Sequence, residues 1–435
     1  MVEDMRLMWL GITIITLISF ISPNILQSSG QSLANDPVLN EDSTLFDYLT
    51  YAALNNPGLE AAFNRWKAAL EKVSQVKSLP DPKFTYAYFI KNVETRVGPQ
   101  REKFAILQTF PWFSKLSLRG EAAVELARAR KEEYNAAKLR LFYAIKKAYY
   151  EYWYLANAIS ITKKSVELIS FFEAAARSKY KTGKASHADI IKAQVELGRM
   201  EDRLRALHGL RAPIVSKLNA LLNRPYDLPL PWPRQIPEEK RLPSDKELFA
   251  LLKERNPELK RLDFMVAKES TEIELASKDY YPDITLGLEY IDTENAITPG
   301  MTDRGKDPVI AKITINLPIW FGRYCARERE ARARYTVRKK ERIERENRLV
   351  SDLKMALYHF HDAERKINLY REGLIPKAKQ SLNVIQEAYS GGKAHFLDLI
   401  DAQRILLEFK LSLEKSRRER FKRIAEIEML VGGLF

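Results

Sequence analysis

The sequence predicts a mainly α-helical protein that also carries four short strands, built from two copies of one plan. Three observations lead there: a recurring motif, two long apolar seams at helical spacing, and four short segments alternating with period two. The motif is YKTGKASHADIIKAQ at 180–194 and YSGGKAHFLDLIDAQ at 389–403, with eight of fifteen positions identical. A Gly-broken helical turn that occurs twice implies internal pseudo-symmetry.

Each half opens with a helix. Asn56-Pro57 and Asn256-Pro257 supply an N-cap followed by a proline at the first helical position, where its missing N–H costs nothing. Proline breaks, LPDP at 79–82 and YYPD at 280–283, end these helices. Strands are then expected at about 83–92, 101–110, 284–293 and 309–317. In the first, Phe84, Tyr86 and Tyr88 share one face; in the third, Ile284, Leu286, Leu288 and Tyr290 do so. FPWFSK (110–115) and LPIWFGR (317–323) close the strands with proline and aromatics.

Long helices should follow, from about Leu116 to Lys179 and from about Tyr324 to Ser390. Their seams run through Ile145, Ala148, Tyr152, Leu155, Ile159, Thr162, Val166 and Ile169, and through Leu349, Leu353, Ala356, Phe360, Ala363, Ile367, Tyr370 and Leu374. At about 1.5 Å per residue, each helix is a rod of roughly 95 Å, too long for a compact domain. Each rod runs into the motif, where Gly183 and Gly392 suit the left-handed end of a helix, and returns over about Ala185–Asn223 and Ala394–Leu430. The motifs are therefore hairpin tips. Pro213 and Pro376 should kink or interrupt their helices. The expected organisation is a leader at 1–34, a first repeat at 35–224, a Pro-rich linker at 225–243 and a second repeat at 244–435.

The leader rests on Arg6, an apolar run from Leu7 to Ile21, and Ser32 and Ala34 at positions −3 and −1 of a cut after Ala34. The run is short for a bilayer span, and a retained anchor is the alternative. No cysteine follows it, so a lipid-modified N-terminus is not offered. One cysteine in 435 residues, Cys325, excludes an intrachain disulfide and a Cys-based zinc site. It is either a reactive thiol or an incidental residue at a strand-to-helix junction.

The balance of 71 Lys and Arg against 57 Asp and Glu gives +14, which suits an anionic partner. Much of the basic sequence lies in 323–348, where acids alternate with bases as on a solvated helix face. No Gly-rich phosphate loop, HExxH or nucleophile elbow is present, so no enzyme chemistry, cofactor or metal is expected. His359 and His361 are two apart and point to different sides of a helix.

Four strands of about ten residues cannot close a barrel, and lipid cannot pair open edges. If the strands cross a membrane, several chains must share one barrel, with Phe110, Trp112, Phe113, Trp320 and Phe321 as an interfacial girdle. Periodicity also allows a small soluble sheet packed on the helices, with those aromatics as core.

The chain resembles the TolC-like outer-membrane efflux family over nearly its whole mature length. The resemblance is carried by NPGLEAA, LPDPKFTYAY, FPWFSKLSLRGEAA, YYPDITLGLEY, LPIWFGR and LIPKAKQSLNVIQEAYSGGKAHFLDLIDAQ together with the duplicated plan. The YYPD and PDP breaks and the GRY junction are most similar to the branch associated with heavy-metal efflux. The resemblance implies a homotrimer in the outer membrane of a Gram-negative-type bacterium. Four strands per chain would form one 12-stranded barrel, and the helical hairpins a periplasmic α-barrel. It further implies a periplasmic adaptor and an inner-membrane transporter of the RND type as partners, with drugs or metal ions as cargo.

By motif, Asp398 and Asp401 match the acidic positions that ring the periplasmic aperture in that family; the plainer role of Asp398 is to cap the returning helix. Asp189, whose repeat has Lys192 in place of the second acid, is expected to cap its helix. Gly183, Lys184, Gly392 and Lys393 are the candidates for adaptor docking, against the plainer reading that a tight turn needs Gly and a solvated Lys. The rivals are a secreted or periplasmic coiled-coil scaffold, and a basic nucleic-acid-binding helical protein.

Overall fold

The computed structural model describes residues 39–233, 242–298, 300 and 302–434. The expected leader and the middle of the Pro-rich linker lie outside the described residues. The first half holds α1 (Leu45–Asn55), α2 (Pro57–Lys77), β1 (Lys83–Tyr88), β2 (Glu94–Thr95), β3 (Gly98–Phe110), α3 (Lys115–Lys181), α4 (His187–Gly209) and α5 (Arg211–Leu222). The second holds α6 (Asp245–Arg255), α7 (Pro257–Lys278), β4 (Ile284–Thr293), β5 (Val309–Ile315), α8 (Phe321–Asn368), a π-helical turn (Leu369–Leu374), α9 (Ile375–Ser390) and α10 (Phe396–Val431).

The Asn-Pro pairs cap their helices and also tie each half together. The Asn56 side chain accepts the Leu59 N–H at 3.0 Å while its amide donates to Leu221 O at 2.9 Å. Asn256 repeats this, accepting from Glu258 and Leu259 and donating to Leu430 O at 2.8 Å. One amide thus satisfies orphan groups at the start of one helix and the end of another.

The predicted seams are the buried stripes. Ile145, Ala148, Tyr152, Leu155, Thr162 and Ile169 are buried in α3, with Ile159 and Val166 partly covered; Leu349, Leu353, Ala356, Phe360, Ala363 and Ile367 are buried in α8. Tyr370 and Leu374 are not fully buried, because they fall in the π-helical turn. Pro376 has no N–H to give the carbonyl four residues back, and the wider turn upstream absorbs that loss. Burial then resumes in a new phase at Ile375, Ala378 and Leu382. Pro213 acts similarly, the helix breaking between Gly209 and Arg211.

The first part of the expected linker is not a loose strap. Leu230 is buried and its carbonyl accepts the Tyr152 hydroxyl at 3.0 Å, while Trp232 stacks on Tyr152 at 4.8 Å. Arg211 lies over the other ring at 4.4 Å from the Trp232 centroid. The alternating charges of 323–348 form helical pairs such as Arg332–Glu328 at 2.7 Å. Others cross to α7 and its C-cap, as Arg345–Glu258 at 2.5 Å and Arg327–Asp279 at 2.6 Å do.

The strands form one antiparallel sheet in the order β1-β3-β4-β5, with β2 beside the start of β3. β1 ends at Tyr88 and β5 at Ile315, both earlier than expected; β3 begins earlier, at Gly98, where it turns back on the short β2.

Candidate functional site

Pairing sorts the strand residues into two chemically different faces. On one face Phe84 pairs with Ile106 and Tyr86 with Phe104; Ile106 pairs with Leu288 and Phe104 with Tyr290; Leu288 pairs with Ala311 and Leu286 with Ile313. These apolar groups are bare: Phe84 is 69%, Leu288 53% and Ile313 71% exposed. The other face carries Thr85, Ala87, Lys103, Thr109, Thr285, Glu289, Lys312 and Thr314, with Leu107, Ile291 and Ile310 among them. There Glu289 sits between Lys103, at 2.5 Å, and Lys312. A sheet apolar outside and ionic inside is the arrangement of a wall between lipid and water. Among the described residues its two outer strands, β1 and β5, have one unpaired edge each.

The aromatics at the strand ends are exposed too, Phe113 at 77%, Trp320 at 71% and Phe321 at 63%. Trp112 is half-covered, stacked on Tyr281 at 5.1 Å, but with the other rings bare the alternative of a soluble sheet with these rings as its core is not favoured. Behind them lies a polar joint that the sequence reading did not single out. Asp283, from the YYPD break, accepts the Trp112 N–H and the Lys115 ammonium, each at 2.8 Å. Lys115 is nearly fully buried and also donates to Tyr281 O at 3.0 Å. The two proline-marked motifs thus clasp one another where strand becomes helix. Nearby, exposed Cys325 receives the Tyr280 hydroxyl at 3.2 Å.

At the opposite end lie the hairpin tips. Gly183 and Gly392 have φ of +73° and +74°, a backbone shape that a side chain resists, and a Cβ there would meet nothing within 4 Å. The N–H of Lys184 bonds Lys179 O and that of Lys393 bonds Ala388 O, both at 2.8 Å, closing the same helix-terminating turn twice. Lys184 and Lys393 are exposed. Asp189 accepts the Ser186 N–H and Asp398 the His395 N–H, each at 3.1 Å, in matching capping boxes.

Two ties join one tip to the other. The Lys179 ammonium donates to Tyr389 O and to Ser390 O and lies 4.2 Å from the centre of the Tyr389 ring. Burial, with the Asp189 charge nearby, pushes the Tyr389 hydroxyl pKa up. Further in, Glu196 is buried and holds Arg404 at 2.5 Å; Arg404 also bonds exposed Asp401 at 3.1 Å. The hydrogen bond that Arg404 donates to Glu196 raises the Arg404 pKa above its ordinary value. Asp398 and Asp401 lie three residues apart and exposed, but their carboxylates have different local partners, a backbone amide and a guanidinium. Lys179, Tyr389, Glu196 and Arg404 were missed because each looks like an ordinary surface residue of its own helix.

Among the described residues no group of three or more His, Cys, Asp or Glu is placed to hold a metal ion, and no helix is long and apolar enough to cross a membrane.

A bare apolar belt backed by a polar face, with long helical hairpins hung beneath it, defines a membrane channel of the β-barrel type extended by helices. The chain belongs to the outer membrane efflux protein family, whose sequence profile matches residues 49–224 and 248–433. No match is found among curated proteins. The fold is similar to that of VceC from Vibrio cholerae, with a TM-score of 0.74 at 19% identity over 89% of this chain and 96% of that one. It is similar also to CmeC from Campylobacter jejuni, at 0.74 and 14% over 93% and 90%. The open state of MtrE from Neisseria gonorrhoeae gives 0.69 and 18% over 89% of each.

The protein is thus an outer-membrane efflux channel, the exit component of a tripartite pump, with helical hairpins reaching into the periplasm. Neither the free coiled-coil scaffold nor the nucleic-acid-binding protein is favoured. The family's work is conduction, and the basic surplus needs no nucleic acid to explain it.

Proposed function

We propose that three copies of the chain close a 12-stranded barrel and hang their hairpins below it as one tunnel, a passive exit for drugs or metal ions. The observation that carries this is the sheet itself: one face made for lipid, one for water, and an open edge on each side. Lipid cannot satisfy the N–H and C=O groups of such edges, so further copies must. An inner-membrane transporter of the RND type supplies the driving force, and a periplasmic adaptor links it to the tunnel.

The tips Gly183, Lys184, Gly392 and Lys393 are the adaptor's docking points. Two alike turns per chain give six around the trimer, enough to meet a hexameric ring. Asp398 and Asp401 line the periplasmic aperture. Their exposed carboxylates, multiplied by three, favour cations and resist closure, Asp401 being offset in part by Arg404.

Electron microscopy and heat-modifiable migration of the detergent-purified protein test the assembly. Threefold particles with a long stalk support it, and a folded monomer in plain buffer refutes it. Exchanging Gly183 and Gly392 for valine tests docking. Lost resistance with intact trimers is expected; unchanged resistance removes the tips from that role.

A further inference from the structure

The internal repeat fixes how one copy meets the next. Laying Pro80-Asp81 on Pro282-Asp283 and Pro111 on Pro318 carries the first hairpin onto the second, pair for pair. Phe84–Ile106 falls on Leu286–Ile313, Tyr86–Phe104 on Leu288–Ala311, and Tyr88–Glu102 on Tyr290–Val309. Applying the same operation to the β3–β4 seam yields a seam between β5 of one copy and β1 of the next. Gln108–Leu286 becomes Ile315 against Phe84, Leu107–Gly287 becomes Thr314 against Thr85, and Ile106–Leu288 becomes Ile313 against Tyr86.

The joint beneath the seam transforms with it. Beyond Pro318 the second half carries one additional residue, Ile319, so Trp112 corresponds to Trp320 and Lys115 to Arg323. The local turn agrees: the Lys115 N–H bonds Trp112 O at 3.1 Å and the Arg323 N–H bonds Trp320 O at 3.0 Å. Lys115 and the Trp112 N–H are held by Asp283 within one copy. Their counterparts stand open, since Asp81 and Arg323 are exposed and have no ion-pair partner among the described residues.

We propose that β5 of one copy pairs with β1 of the next in this register, with Thr314 opposite Thr85, and that Arg323 locks it by binding Asp81 of the neighbouring copy. The proposal rests on the shared-barrel reading above and adds the register and its lock. Face chemistry alone cannot set the register. A slip of one residue turns apolar side chains inward and is excluded, but a slip of two keeps every face and moves the strands only about 7 Å. The ion pair distinguishes the two, because that slip separates Arg323 from Asp81.

The test uses the full-length protein with Cys325→Ser, carrying Thr314→Cys with one of Lys83→Cys, Thr85→Cys or Ala87→Cys. Both positions lie on open edges, where a cysteine disturbs no packing. After mild oxidation, Thr314→Cys with Thr85→Cys should give covalent trimer in at least about tenfold higher yield than either shifted pair, as disulfide geometry tolerates little displacement. In the same background Arg323→Asp should reduce trimers that survive detergent without heating, and the added exchange Asp81→Arg should restore them. Trimers that cross-link best at Lys83 or Ala87, or that ignore both charge changes, overturn the lock and register while leaving the shared barrel in place. A wild-type protein that stays monomeric overturns both.

Discussion

Replacing Arg404 with alanine isolates the tie that joins the two hairpins just behind the tips. Glu196 is 1% exposed and Arg404 39%, and they meet at 2.5 Å. Removing one member of a wholly buried pair costs about 3–5 kcal/mol, and of an exposed pair about 0–1 kcal/mol. Arg404 lies between these limits, and Arg199 remains 3.7 Å from Glu196 to share the stranded charge. A loss of about 2 kcal/mol follows, which is a factor of roughly thirty in the opening equilibrium of the first turns of α10 and α4. Hydrogen exchange read by mass spectrometry on peptides spanning 396–404 and 190–197 measures it. Protection should fall by that factor at the tips and stay unchanged in α1 and α6. The double change Glu196→Gln with Arg404→Ala should recover most of it, because no charge is left stranded. Protection altered less than about threefold, or a double variant no better than the single, would refute the reasoning.

Glu289→Gln leaves Lys103 and Lys312 unbalanced on the inner face of the wall. Single channels in planar bilayers under a salt gradient should shift their reversal potential toward anion selectivity; an unmoved potential places Glu289 away from the conducting path. Glu414 has its pKa raised by burial, which outweighs the Arg417 at 3.3 Å. A raised folded-state pKa means its stabilising protonated form is present at low pH and lost as pH climbs through that pKa. Stability should therefore decline from the ordinary carboxylate range upward, and Glu414→Gln should flatten that stretch of a thermal-melt pH series. Gly98 has φ of +139°, and a Cβ there would stand 1.6 Å from Glu294 O, just past the end of β4 in the connection to β5. Gly98→Ala should cost on the order of 3 kcal/mol and deplete folded trimer in membrane fractions at equal synthesis.

The helices and the tips were legible because their signals are local. A seam such as Ile145-Ala148-Tyr152-Leu155 depends on spacing within one helix, and Gly392 depends on one φ angle. The strands were legible as strands, but their register was not. Pairing β3 with β4 joins residues from opposite halves of the chain, and no local pattern encodes which residue of one stands opposite which of the other. The π-helical turn was foreseen only as an interruption at Pro376, since the energetic remedy depends on what α10 packs against. The clasp of Asp283 with Lys115 was hidden similarly: both residues stood in motifs that had been quoted, yet nothing in either motif says that they touch.

The contacts divide according to which half supplies them, and the division explains what the sequence could reveal. Several bonds within a half are made twice: Asn56 to Leu221 and Asn256 to Leu430, or the capping boxes at Asp189 and Asp398. Such bonds preserve the resemblance between repeats, so comparing the halves exposes them. The ties between tips require the halves to differ. Glu196 corresponds to Ile405 and Arg404 to Val195, while Lys179 corresponds to Ala388. A perfectly duplicated chain would place glutamate against valine and find no partner for either charge. Residues that break the repeat are therefore where one hairpin grips its neighbour, as Glu196 and Arg404 do. Asp401 faces a guanidinium that its own repeat supplies at Arg404, whereas the first repeat has Lys192 and Val195 at the equivalent positions and so no such pair. The second hairpin thus carries an acid–base pair that the first lacks, while the buried Glu196 of the first is held by Arg404 of the second.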